Sequence, residues 1–330
     1  MATDRITRAE AERLLELANE ARWPLPSSSG SPLASGGHPG AAIERLVEQQ
    51  QRLPVAARFL IESGDREAAL QLAAGVWRMW MISGDVAGGR EFLAPILERA
   101  GTAPSRAAAL ALYGDGLLAF RQGDVDGSRA RNEAALEASR ATGDAEALAL
   151  AYAGLSRVAL EEGDAPRARD LARSARDSAR GLAAAMEQGP LHLEAQAARS
   201  AGDYAAAAAL FRESLALNRR NGDLAMVQVE LHNLGHVECH RGNVDAAEDC
   251  FAECARIASP DDPYSVAMRD LNQAVVALAR GDLARSSTLL RRIDALLAES
   301  GTRLAVDDRF ELDDLRARLA AATRGGRDPG

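Results

Sequence analysis

Four side chains able to bind a metal or exchange a proton fall within nine residues: His232, His236, Cys239 and His240, in the stretch LHNLGHVECHRGNVDAAEDCFAECARI at 231–257. On a helix their spacing of i, i+4, i+7 and i+8 puts them on one face. Imidazole and thiolate are tetrahedral zinc ligands, and His192 can reach the same face from a neighbouring helix. The local patterns HNLGH and HVECH match neither HExxH nor HxxEH, so the metallohydrolase arrangements are absent. The same imidazoles titrate near neutrality and suit a pH-sensitive polar contact with a ligand. No metal ligand set is assigned on this basis, and a zinc-dependent site at His232, His236, Cys239 and His240 stands as an alternative. The three cysteines, Cys239, Cys250 and Cys254, are odd in number and crowded together. That is no disulfide framework, and it fits a reducing compartment. Cys254 takes a slot where alanine is usual and reads as a small buried residue.

Other chemistry is excluded more sharply. All 39 basic residues are arginine. Without lysine there is no GxxxxGK[ST] phosphate loop and no Schiff-base or general-base amine. No Ser-His-Asp, Cys-His or paired-carboxylate constellation stands out, because the prominent aspartates follow glycines at helix turns. The chain is therefore expected to be no enzyme and to need no cofactor. A net charge of −9 argues against nucleic acid as a direct partner. No apolar run approaches the ~20 residues that span a bilayer, and the charged, amphipathic N-terminus is unlike a signal peptide. No membrane partner is expected, and the location expected is cytoplasmic.

The elements that would carry these groups are helices. Hydrophobic residues make up 47% of the chain but aromatics only 4%, and alanine, the commonest residue, favours helices that approach closely. Turn glycines recur at Gly84, Gly123, Gly163, Gly202, Gly242 and Gly281, at intervals of 39, 40, 39, 40 and 39 residues. Each closes one helix in the left-handed conformation, and the Asp or Asn after it can cap the next. Secondary turns lie about halfway between. Small residues stand five after each principal glycine (Gly89, Ser128, Ala168, Ala207, Ala247, Ser286) and, except at Trp77, seven before it. The fold expected is all-α, a right-handed superhelical solenoid of about six helix pairs with a roughly 40-residue period. Its domain plan is an N-terminal helix at 1–24 and a Ser/Gly/Pro-rich linker at 25–40 that holds His38. The repeats follow at 41–300, then a polar capping helix at 301–324 and a disordered tail at 325–330.

Leu234-Gly235, the Gly242-Asn243 turn, Ala247 and Phe251 resemble the tetratricopeptide (TPR) repeat. Residues 63–97, with Trp77 and Trp80, and the preceding helix resemble the start of the helical repeat region in bacterial signal-transduction ATPase regulators of the LuxR and antibiotic-regulator types. That resemblance covers 41 to about 300, without the ATPase or DNA-binding modules of those regulators. In TPR arrays the first helix of each pair lines a concave groove, through positions ten, six, three and two before the turn glycine. The resemblance thus implies a groove lined by Arg78; by Tyr113, Leu117, Phe120 and Arg121; by Arg157; by His192 and Arg199; and by His232, His236 and His240. Arginine forks pair with carboxylates, so an acidic or C-terminal protein or peptide segment is the expected guest. The function expected is a non-catalytic, regulatory, peptide-binding scaffold. A structural or oligomerisation scaffold, including a homodimer, is the competing expectation.

Overall fold

A computed structural model describes residues 6–21, 41–101, 103–183, 185–257, 262–304 and 306–325. The expected linker with His38 and the end of the tail, 326–330, lie outside these residues. Among the described residues the regular structure is helical throughout, as the composition implies. They divide into two compact units, one ending at Leu193 and the other beginning at Glu194.

Unit 1 contains α1 (Arg8–Ala21), α2 (Ala41–Glu48), a 3₁₀ turn (Gln50–Arg52), α3 (Leu53–Glu62), α4 (Arg66–Ser83) and α5 (Val86–Ala100). It continues through α6 (Arg106–Gln122), α7 (Val125–Thr142), α8 (Ala145–Glu161) and α9 (Ala165–Ala179) into the first part of α10 (Ala185–Ser200). A reciprocal capping box opens α1: the Thr7 backbone N–H donates to Glu10 Oε2 at 2.8 Å, and the Glu10 N–H donates to Thr7 Oγ1 at 3.3 Å. α1 then lies directly on α4. A Cβ at Gly75 would stand 2.4 Å from the Ala18 carbonyl oxygen, so only glycine permits the contact. Trp77 breaks the small-residue rule because α6 makes room for it. Gly114 lies under its ring, and Tyr113 meets the indole edge-on with centroids 5.7 Å apart. Trp80 packs on Phe92 with the rings tilted at 33° and centroids 4.9 Å apart.

Unit 2 runs from the C-terminal end of α10 through α11 (Tyr204–Asn221), α12 (Leu224–His240), α13 (Val244–Ile257), α14 (Pro263–Ala279) and α15 (Leu283–Ser300) to α16 (Val306–Gly325). The pairs α4/α5, α6/α7, α8/α9, α10/α11, α12/α13 and α14/α15 turn at the six glycines, whose φ values lie between +74° and +82°. After five of those glycines an aspartate accepts from the backbone N–H three residues on: Asp85, Asp124, Asp164, Asp203 and Asp282. At the remaining turn the Asn243 amide donates to Glu238 Oε2 at 2.7 Å.

At two of the turns the small residues before and after the glycine meet one another. Ser156 Oγ donates to the Ala168 carbonyl at 2.8 Å, and Ser286 Oγ to the Ala274 carbonyl at 3.0 Å. In α12/α13 the close approach is instead between Gly235 and the Phe251 ring, where a Cβ would stand 2.3 Å from the ring. No helix among the described residues is long and apolar enough to cross a membrane.

Candidate functional site

Seven of the expected groove residues belong to unit 1. Arg78 on α4 is half-buried, and loss of solvent lowers its guanidinium pKa. Tyr113 and Leu117 are buried in α6, and Phe120 and Arg121 are half-buried near its end. Arg157 on α8 and His192 on α10 are buried. In this structure these are packed positions more than open ones, and Tyr113 in particular is spent on Trp77.

The other four, Arg199, His232, His236 and His240, belong to unit 2, and they come together. α12 turns its three histidines to one side, because the intervals between them are one helical turn. Arg199 reaches the same side from the last turn of α10. The group they surround is a carboxylate of α16. Glu311 lies 3.2 Å from His236 Nδ1, 3.5 Å from His240 Nε2 and 3.4 Å from Arg199 Nη1. It is only 1% exposed. One turn earlier on α16, Asp308 accepts from Tyr264 of α14 and lies 3.0 Å from His232 Nε2. One turn later, Asp314 stands 3.9 Å from His240 Nε2.

The rest of the shell fixes the rings. Arg199 Nη1 donates to Asn233 Oδ1 at 2.9 Å, and Asn233 donates in turn to the Val229 carbonyl at 3.0 Å. Asn272 of α14 contacts His236 Nε2 at 2.9 Å. Tyr204 stacks flat on His240, with centroids 4.5 Å apart. Asp308, Glu311 and Asp314, spaced by three on one helix, thus face a row of imidazoles and one guanidinium spaced by four.

The electrostatics follow from burial and pairing. Burial alone would raise the Glu311 carboxyl, but His236, His240 and Arg199 overcome it and hold the group well below the usual carboxylate range. Asp308 is also lowered; burial opposes this, and the His232 and Tyr264 hydrogen bonds prevail. Burial pushes the His236 imidazole down, against the pull of Glu311.

Cys239 does not join its neighbouring histidines. It packs in an apolar cluster with Leu271, Val275, Leu312 and Leu315. Burial raises the thiols of Cys239 and Cys254 to about 12 and that of Cys250 to about 11, so none is poised as a nucleophile or a thiolate ligand. The alternative zinc set of His232, His236, Cys239 and His240 is therefore not gathered at one point among the described residues. Among the described residues, the donors that could share an ion are His240, Glu311 and Asp314, within 4.8 Å of one another. Among the described residues His232 Nδ1 has no hydrogen-bond partner, and His232 lines, with Phe251 and Met268, a cavity of about 420 Å³ between α13 and α14.

Arg199, His232, His236 and His240 were among the expected groove residues, whereas Asp308, Glu311 and Asp314 were not singled out in the sequence. The signal was present in the 3-residue spacing of Asp308, Glu311 and Asp314, which reads equally well as the solvated face of a polar cap.

No family model and no curated protein matches the chain. Solved structures do. The apo form of RapI superposes with a TM-score of 0.60 at 12% identity, over 94% of this chain and 86% of that one. A Rap protein complexed with Competence and Sporulation Factor gives 0.57 at 14%, over 96% and 98%. The Cut9–Hcn1 hetero-tetramer of the APC/C gives 0.53 at 16%, over 84% of this chain and 51% of that one. The fold is a TPR-like helical repeat. At these identities the likeness carries the fold alone.

Proposed function

We propose that the chain is a non-catalytic scaffold that binds a protein or peptide segment on the first-helix face of unit 2, through Arg199, His232, His236 and His240. The observation that supports this is the convergence of a guanidinium and two imidazoles on one buried carboxylate. Such a pocket recognises an acidic side chain or a chain terminus by charge-assisted hydrogen bonds. The structural likeness to a Rap protein complexed with Competence and Sporulation Factor is in keeping with this. Arg78, Tyr113, Leu117, Phe120, Arg121, Arg157 and His192 remain candidate contacts on unit 1. A regulatory role in the bacterial cytoplasm accords with the resemblance of residues 41 to about 300 to the repeat arms of signal-transduction ATPase regulators.

The test is affinity capture from the native lysate with mass spectrometry, using the wild type beside two separate variants, Arg121→Glu in unit 1 and Arg199→Glu in unit 2. A partner kept by wild type and Arg121→Glu but lost by Arg199→Glu supports the assignment to unit 2. A partner held equally by all three, or a concentration-independent homodimer in light scattering with no partner captured, overturns it in favour of an oligomerisation scaffold.

A further inference from the structure

We propose that α16 is an internal ligand: it occupies the face on which unit 2 binds an acidic amphipathic helix of a partner, and the partner helix displaces it. This rests on the reading of that face as a protein-binding surface and specifies both the guest and its control.

A helix that only seals the last pair of an array needs an apolar stripe inward and a polar face outward. α16 has that stripe in Leu312, Leu315 and Leu319, all buried. It also carries Asp308 and Glu311 into the interior, each met by groups from at least two other helices. Buried charge pairs often hold a helix no better than apolar residues of similar size would, and fixing partner and register is their best-attested use. Here the selecting groups are on α10, α12 and α14, while the selected pattern is on α16. Read along the chain it is Asp-x-x-Glu-Leu-x-Asp-Leu, residues 308–315.

The guest chemistry is therefore stated by the occupant. It is a helix with carboxylates at i, i+3 and i+6 to meet His232/Tyr264, His236/Arg199 and His240. Leucines at i+4 and i+7 pack on Leu271 and Val275. α16 is tethered to α15 by the short 301–305 segment, so it competes as an intramolecular ligand at high effective concentration. Its fit is imperfect in a way that leaves room for a competitor. Among the described residues His232 Nδ1 has no hydrogen-bond partner, and the Arg199–Glu311 contact at 3.4 Å is long for a charge-assisted hydrogen bond. Phe310 on the same helix is 53% exposed, an apolar ring that the docked position leaves in solvent.

The probe is a fluorescein-labelled peptide of residues 306–325, added to the full-length chain and read by anisotropy. Wild type should bind it at least tenfold more weakly than a Glu311→Arg chain, in which Arg199 repels α16 while the receptor groups stay intact. A peptide carrying Glu311→Arg should bind neither. Leu315→Asp in the chain, which releases α16 from its apolar side, should behave like Glu311→Arg. Hydrogen exchange on the wild type supplies a reading that needs no variant. α16 amides should exchange by a local opening, faster than those of α12 and α14. Exchange of α16 only together with α12 and α14, or equal binding of the peptide by wild type and both variants, would overturn the proposal. If α16 stays protected while Arg199-dependent capture persists, the binding face stands and the displacement falls.

Discussion

At the scale of single residues, the decisive contacts in unit 2 are made by what is missing as much as by what is present. Gly235 has no side chain because Phe251 fills its place; an added Cβ would stand 2.3 Å from the ring, with further ring atoms at 2.7 Å. The ring cannot retreat freely, since it also meets His236 at 5.2 Å between centroids. Gly235→Ala must therefore shift α13 away from α12 and disturb the ring that Glu311 depends on. Overpacking of this kind costs about 1–3 kcal/mol, outweighing the helix-propensity gain of about 1 kcal/mol from replacing glycine. A lower urea midpoint is expected for Gly235→Ala, with recovery when Phe251→Leu is added to make space. A midpoint equal to or above that of wild type would show that the pair has slack the packing denies.

At the scale of elements, the repeat was legible because it is written in residues that answer to backbone geometry. A positive φ needs glycine, and the N–H groups opening a helix need an acceptor. Both demands recur at every turn whatever the partner of the protein. Asp164 illustrates the second: its carboxylate accepts from the Arg167 N–H at 3.1 Å to open α9. α9 is the most polar helix of its pair and buries little besides Ala165, Ala168, Ala172, Ala175 and Ala179. It depends on its cap more than a helix with large apolar anchors would. Asp164→Ala should cost about 1 kcal/mol, while Asp164→Asn, which keeps an acceptor, should lie within a few tenths of wild type. Equal losses in the two variants by denaturant titration would mean that charge and not capping is at work. What the sequence left hidden has the opposite character. That Trp77 sits over Gly114, or that α16 meets α12, depends on pairings across many residues with no periodic mark. The histidines of α12 marked one face of that helix, but α16 could be read only as a polar amphipathic helix. Nothing local distinguishes a carboxylate facing water from one facing Arg199, as Glu311 does.

At the scale of the whole molecule, acid is the condition that should find the weakness of this arrangement. Asp308 and Glu311 have pKa values lowered by the fold, so the stability they contribute is present above the unfolded value of about 4 and is lost as pH falls through the folded value. His236 is lowered by burial, so its share is present above about 6.5 and begins to be lost as pH drops below that. The signs agree: each of these groups binds protons more readily in the unfolded chain. Asp223 runs the other way, since burial raises its carboxyl, and it softens the acid limb without reversing it. The net charge of −9 at pH 7 passes through zero on the same descent and leaves 39 arginines facing one another at low pH, which adds repulsion to the loss of the carboxylates. The urea midpoint should therefore fall from pH 7 to pH 5 as His236 is asked to charge, and more steeply below about pH 4 as Asp308 and Glu311 take up protons. Glu311→Gln should be less stable than wild type at pH 7 and lose less on going to pH 3.5, because one of the titrating groups is gone. A flat midpoint between pH 7 and 5, or an acid limb unchanged by Glu311→Gln, would mean that the contacts between α12 and α16 contribute nothing to holding unit 2 together.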